Sequence, residues 1–186
     1  MNKKRTIIVV ALLVAVLLVG VGMTAAILMA STQPVINTFT IGQVQITLTE
    51  TTGPSYQLIP GTQVDKDPTL TVLAGSDACW LFFRVEEAYD LSSYVTYTLT
   101  PDWIPLEGVE GVYYRQVPDT AIDLPFPLLD GNKVQILDTV TEEALAEIQN
   151  APYLKFTGYA VQNAEVATAQ DAWRLLLTQA EGVSER

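Results

Sequence analysis

The sequence predicts a mainly β protein, a two-sheet sandwich with two short helices, preceded by an N-terminal signal or transmembrane helix. Three observations predict it. Apolar residues alternate with period two in short runs through residues 35–161, and Gly, Pro and Asp-Gly breaks separate the runs. Helix-start chemistry stands out at two places, near Thr141 and Thr168. Lys3, Lys4 and Arg5 precede an uncharged apolar run from Thr6 to Ala30, whereas all 21 acidic residues lie at Glu50 or beyond.

A basic start followed by an apolar stretch is read by the secretion machinery, and its basic end stays inside. The run of about 25 residues would measure roughly 37 Å as a helix, enough to span a bilayer, so length alone leaves cleaved signal and retained anchor both open. Thr24-Ala25-Ala26 meets the small-x-small requirement of a signal peptidase, with the cut after Ala26; Ala30 is a second position. The expected organisation is residues 1–26 as signal peptide or membrane anchor, 27–42 as an N-terminal segment, and 43–186 as one β-sandwich domain. Removing residues 1–26 leaves 160 residues, with seven basic against 21 acidic side chains, a net charge of −14. Such a surface repels nucleic acid and anionic lipid and favours solubility outside the cell. One cysteine, Cys79, excludes an intramolecular disulfide, and the absence of histidine excludes histidine triads, His-containing zinc motifs and histidine pH switches.

From Val35 to Leu48 the alternation is clean but changes phase. Phe39 and Ile41 occupy odd positions; Val44, Ile46 and Leu48 occupy even ones. A phase change in a strand needs a bulge, bend or turn, and Gly42 is the residue to supply it, so two short strands or one kinked strand are expected. Gly53-Pro54, Pro60-Gly61 and Asp67-Pro68 mark loops, with a short edge strand at Tyr56 to Ile59. Leu70 and Val72 belong to another strand. Cys79 to Glu86 is apolar on both faces at its start, as a central strand covered on both sides would be. Val95, Tyr97 and Leu99 alternate in the next strand. A turn region spans 103–111, and Val112 to Val117 pairs back across it as a hairpin. Pro118, Pro125 and Pro127 predict an irregular stretch, Asp130-Gly131 a turn, and Val134 and Ile136 a strand. Thr141 to Asn150 reads as a short helix with Glu142 and Glu143 in its first turn. Tyr153 to Val161 alternates as a strand. Thr168 to Ala180 reads as a longer helix, capped by Thr168 with Asp171, packing through Ala169, Trp173, Leu176 and Leu177, with a frayed polar tail from Glu181. Seven to nine short strands suggest a two-sheet sandwich.

The chain resembles the TasA/camelysin family and the wider group of bacterial proteins with a SipW-type signal peptide. The resemblance rests on Gly22-Met23-Thr24-Ala25-Ala26, on the stretch Asn37-Thr38-Phe39-Thr40-Ile41-Gly42-Gln43-Val44-Gln45-Ile46-Thr47-Leu48-Thr49-Glu50, on Pro60-Gly61 and Lys66-Asp67-Pro68, and on Ala74 to Phe82 with Arg84-Val85-Glu86-Glu87. Near the end it rests on Phe156 to Gln162 and Asp171-Ala172-Trp173. The segment after the cut, Ile27 to Ser31, lacks the aromatic and acidic residues frequent there in the family. The resemblance implies a jelly-roll sandwich exported by a dedicated signal peptidase. It implies subunits of extracellular biofilm-matrix fibres, in which the freed N-terminal segment of one subunit completes a sheet of the next.

That implication has a physical basis in the residues. An apolar β-prone segment can add to an open sheet edge, where backbone hydrogen bonds give affinity and side-chain pockets give register. Val35, Ile36, Asn37, Thr38, Phe39, Thr40 and Ile41 have the composition of such a donor strand; the other reading is that they pair within their own sheet. Expected partners are other copies of the chain and the processing peptidase, with no nucleic acid, and with membrane contact only through the N-terminal segment before cleavage. The alternative function is a membrane-tethered or secreted adhesion or binding module at the cell surface, using loops such as Pro101 to Gly111.

No catalytic residue, cofactor or metal ligand is expected. Asp65, Asp67 and Asp77 offer oxygen ligands for calcium without regular ligand spacing. Glu86-Glu87 and Glu142-Glu143 point to different sides and make poor dyads. Cys79 reads as a buried thiol. Trp80, Trp103 and Trp173 with Tyr113 and Tyr114 could form a carbohydrate platform, with core packing the expected role of at least Trp80 and Trp173.

Overall fold

The computed structural model describes residues 28–30, 38–52, 55–88, 90–148, 152–164 and 166–184. The apolar run before residue 28, with the cleavage residues Thr24, Ala25 and Ala26, lies outside them. Thirteen strands are present among the described residues. In chain order they are β1 (Leu28–Ala30), β2 (Thr38–Ile41), β3 (Ile46–Thr49), β4 (Ser55–Gln57), β5 (Gln63–Asp65), β6 (Thr69–Val72) and β7 (Cys79–Ala88). They continue as β8 (Val95–Leu99), β9 (Ile104–Pro105), β10 (Val112–Val117), β11 (Leu124–Pro127), β12 (Leu129–Ile136) and β13 (Tyr153–Gln162). Helix α1 is Glu142–Ala146, helix α2 is Ala169–Ser184, and a 3-10 turn covers Leu91–Ser93.

The architecture is that of a β-sandwich. One layer is a five-stranded sheet ordered β2-β13-β7-β10-β9. Two three-stranded sheets, β11-β6-β3 and β5-β12-β8, lie end to end in the chain, because β5 runs into β6 and β11 runs into β12. The Leu128 amide donates to the Pro68 carbonyl at 3.0 Å at the junction between them. A separate pair joins β1 to β4.

Strand β7 sits at the centre of the five-stranded sheet, paired over ten positions with β13 and over six with β10. Its odd residues Cys79, Leu81 and Phe83 enter the main core with Ile46, Leu70, Val117, Leu129 and Ile136. Its even residues Trp80 and Phe82 enter a second core with Val112, Val161, Ala172, Trp173 and Leu176. Helix α2 therefore covers the sheet's outer face, and the two-faced apolar character of Cys79 to Phe83 is explained. Gly158 of β13 faces inward opposite Phe83; a Cβ there would stand 2.6 Å from a Leu70 methyl, so the close approach of the layers requires glycine at this point. Trp103 closes the main core, edge-on to Phe83 at 4.8 Å, its indole N–H donating to the Pro127 carbonyl.

Several sequence expectations need correction. Pro125 and Pro127 stand in a strand, β11, rather than an irregular stretch; it is an edge strand, where alternate positions need no donor. Asp130-Gly131 makes a bulge inside β12 instead of a turn: Gly131 and Asn132 have φ of 62° and 54°, and the register with β8 shifts there. Across the 103–111 turn region β10 meets only the two residues of β9, and its long partner is β7. Strand β5, with a single apolar residue, has too little pattern to be seen in the sequence. Helix α1 stops at Ala146, short of the expected end, with the Thr141 hydroxyl accepting from the Ala144 amide. Helix α2 continues to Ser184, past the expected fraying point. It packs through Ala169, Ala172, Trp173 and Leu176, a strict i, i+3, i+4, i+7 stripe that leaves Leu177 45% exposed.

Two predictions follow from the packing. Phe83→Ala is expected to lower the unfolding free energy by about 3–5 kcal/mol in a denaturant titration, because the void would lie among the rings of Trp103, Tyr113 and Phe156 at the layer interface. Burial pushes the Asp67 carboxyl up, but four hydrogen bonds from the hydroxyls and amides of Thr51 and Thr52 outweigh this and bring it down to about 2. Its folded value lies below the unfolded one, so its stabilisation is present above the usual 3.8 and is lost as pH falls towards 2. Unfolding midpoints measured across that window should show a loss of about 1–2 kcal/mol that Asp67→Asn removes.

Candidate functional site

The N-terminal segment is the element whose placement bears most directly on function. Of the seven expected donor-strand residues, Val35, Ile36 and Asn37 lie outside the described residues. Thr38, Phe39, Thr40 and Ile41 form β2, which pairs with β13 of its own chain: Thr38 with Gly158, Phe39 with Tyr159, Thr40 with Ala160 and Ile41 with Val161. Of the two readings of this segment, pairing within its own sheet is the arrangement adopted by these four residues.

The direction of this pairing is unusual for the molecule. Strands β2 and β13 run parallel, whereas every other described strand pair is antiparallel. Parallel ladders are slightly less stable per residue, and this one is four residues long at a sheet edge. Thr38 and Thr40 are exposed. Ile41 is half-buried against the second core, beside the cluster of Trp80, Val161 and Trp173.

Gly42 then reverses the facing of the chain, as the phase break predicts. Its φ of 89° is left-handed, and a Cβ would stand 2.4 Å from Gln162 Oε1. The chain leaves the edge of one layer here and enters the other, where Val44, Ile46 and Leu48 of the next strand segment are buried in the main core. A small clasp holds the crossing. Gln162 Oε1 accepts from the Gln43 amide at 3.3 Å, Gln162 Nε2 donates to Asp77 Oδ2 at 2.6 Å, and the Asp77 amide donates to the Gln43 carbonyl at 3.0 Å. The buried Ser76 hydroxyl accepts from the Gln45 amide at 3.0 Å just beyond. Sequence reasoning missed Gln162 and Gln43 as a clasp, since they stand 119 positions apart and neither belongs to a motif.

The other candidates separate in space. Asp65 pairs with Lys133, Asp67 with Thr51 and Thr52, and Asp77 with Gln162, so the three carboxylates do not converge on one point. Among the described residues no three His, Cys, Asp or Glu side chains come together as a metal site. Glu86 faces outward to Lys155 at 2.8 Å, and Glu87 accepts from Tyr97 at 2.5 Å on the other side of the strand. Cys79 is fully buried, and burial pushes its thiol up to about 12. Trp80, Trp103 and Trp173 are all buried and in two different cores, so no tryptophan platform forms. Among the described residues no helix is long and apolar enough to cross a membrane.

No protein-family model matches the chain, and no curated protein or solved structure matches it.

The clasp makes a specific expectation testable. Gly42→Ala adds a left-handed alanine that also collides with Gln162, a cost of about 1–3 kcal/mol borne at the crossing. Hydrogen exchange should then speed up at Phe39 to Ile41 while the amides of β7 keep their protection.

Proposed function

We propose that this chain is an exported structural protein that assembles through its N-terminal segment, as a subunit of extracellular fibres. The observation that carries the reading is β2: a four-residue parallel strand at a sheet edge, preceded among the described residues only by the short β1 that pairs with β4, and joined to the strands that follow through a left-handed glycine. The bonds it makes to β13 of its own chain are the same bonds it would make to β13 of a neighbour. Exchange of an identical element therefore costs little beyond the ordering of the linker and the loss of freedom on association. Passing the strand from each copy to the next, without closure, generates a filament.

The export half of the proposal rests on the sequence: the basic start, the apolar run and the Thr24-Ala25-Ala26 cleavage site. Processing would release the chain ahead of β1 and so act as the assembly switch, with the β1–β4 pair having to open or move with β2. Resemblance to the TasA/camelysin group, with its jelly-roll domain, is part of the same reading. The neighbour relations β13-β7-β10 in one layer and β5-β12-β8 in the other support a jelly-roll order, and the parallel β2 lies outside that antiparallel scheme.

The test compares residues 27–186 with a version beginning at Gly42, by size exclusion and electron microscopy. The longer protein should form concentration-dependent oligomers or filaments and the shorter one should not. If both remain monomeric under all conditions, the assembly reading fails.

A further inference from the structure

A cleft opens between β7 and β10 of one layer and β8 of the other. Its volume is about 310 Å³, at the lower end of the roughly 300–1,000 Å³ of small-molecule sites. Glu87, Ser92, Thr96, Tyr97 and Tyr113 line it, together with the aliphatic Val95 and Leu99. From these residues we infer that the cleft is a carbohydrate-binding site for a neutral or amino-sugar unit of a polysaccharide. This goes beyond the assembly proposal and does not depend on it.

The argument starts with the two tyrosines. Phe83, fully buried, stacks on one face of Tyr113 with centroids 5.1 Å apart and planes 13° apart. The ring is thereby held in place from the Phe83 side, and it also lines the cleft. A fixed aromatic face suits the apolar C–H face of a sugar ring. Tyr97, from β8, donates its hydroxyl proton to Glu87 Oε1 at 2.5 Å. Burial first, and then the hydrogen bond and charge of Glu87, push this phenol far above the usual tyrosine range, so it keeps that proton. Glu87 is held in place by it, and among the described residues no protein donor is recorded at its second oxygen, Oε2. That oxygen is an acceptor for ligand hydroxyl or ammonium protons.

The remaining lining sets the ligand class. Ser92 and Thr96 add hydroxyls that both donate and accept, the mixed capacity that ring hydroxyls require. No lysine or arginine lines the cleft, and the domain carries a large negative charge, so uronic acids and phosphorylated sugars are disfavoured. An aromatic cage for a bare ammonium would enclose the cation with rings on several sides; this lining is instead two rings, one carboxylate, several hydroxyls and two aliphatic side chains. The tryptophan platform suggested by the sequence is absent, and the residue of that set that does reach an open cleft is Tyr113.

The probes are a tetramer of N-acetylglucosamine, the corresponding tetramer of glucosamine and a tetramer of galacturonate, titrated into the purified protein by calorimetry and followed by NMR of the tyrosine ring protons. Binding of the two glucosamine tetramers with shifts at Tyr97 and Tyr113, and weaker or absent galacturonate binding, is the expected result. Glu87→Gln should weaken the glucosamine tetramer about tenfold or more by removing a charge-assisted contact, and the acetylated tetramer less. Tyr113→Leu should abolish both; because it also touches Phe83, folding is checked by circular dichroism, and the exposed Glu87→Gln carries the test if the leucine variant is unfolded. Absence of binding by all three probes overturns the proposal, as does equal binding of galacturonate. It is also overturned if the tyrosine signals respond only to protein concentration, which would make the cleft a contact between copies.

Discussion

Everything in this molecule is hung on the five residues Cys79 to Phe83. A strand buried on one face alone would need a single layer opposite it; this one is apolar on both and demands two. The inward set draws the layer formed by β3, β6, β12 and β8, and the outward set draws helix α2. Trp80 shows how tight the second requirement is. Its ring lies edge-on to Tyr114 at 5.8 Å, and its N–H donates to the Val166 carbonyl at 2.9 Å in the loop leading into α2. The loop is thus fastened to the sheet before the helix begins. The Thr168 hydroxyl then accepts from the Asp171 amide and starts the helix over Phe82.

The doubled burial also answers a difficulty raised by composition. A single cysteine cannot cross-link the chain, and export would place the domain where disulfides are the usual reinforcement. The core here is extensive instead: Leu70, Val72, Leu81, Phe82, Phe83, Leu128 and Ile136 are wholly inaccessible to solvent. Each such side chain contributes on the order of 1.5–3 kcal/mol relative to exposure, before the entropy of ordering is counted. The buried Lys66–Glu50 pair, at 2.8 Å, adds little net stability, since desolvating both charges offsets most of their attraction.

The legible part of the fold was the part governed by local periodicity. The two faces of β7, the strand at Tyr153 to Val161, the Thr168 cap and the phase break at Gly42 were all visible, because each is set by neighbours within a few residues. What stayed hidden depends on partners far along the chain. A proline pair in β11 is acceptable only because that strand is an edge, which no local pattern states. Arg115 occupies an inward position of β10 between Tyr113 and Val117, and the alternation cannot say why. The structure supplies the reason: its guanidinium lies 4.2 Å from the centroid of Phe126 and 5.4 Å from that of Trp103, so its charge rests on aromatic faces at the rim of the core. The site was legible to the same extent. The N-terminal segment and its glycine stood out, while the clasp through Gln162 and Asp77, the parallel pairing and the cleft at Tyr97 did not.

The parallel edge matters because of what it leaves intact. Strand β13 holds the domain through ten paired positions with β7 and through Phe156 and Ala160 in the main core. Strand β2 adds four pairs on the other side of β13 and places one half-buried isoleucine against the second core. Removing β2 therefore bares backbone donors and acceptors along Gly158 to Val161, and none of its described side chains, Thr38, Thr40 and Ile41, belongs to the main core. The bared groups form an open strand edge that a second strand can pair with. Assembly by strand exchange requires that the core stand without this edge strand, so that folding is separated from edge completion. That separation is the physical condition for a subunit to fold first and be joined to its neighbours afterwards.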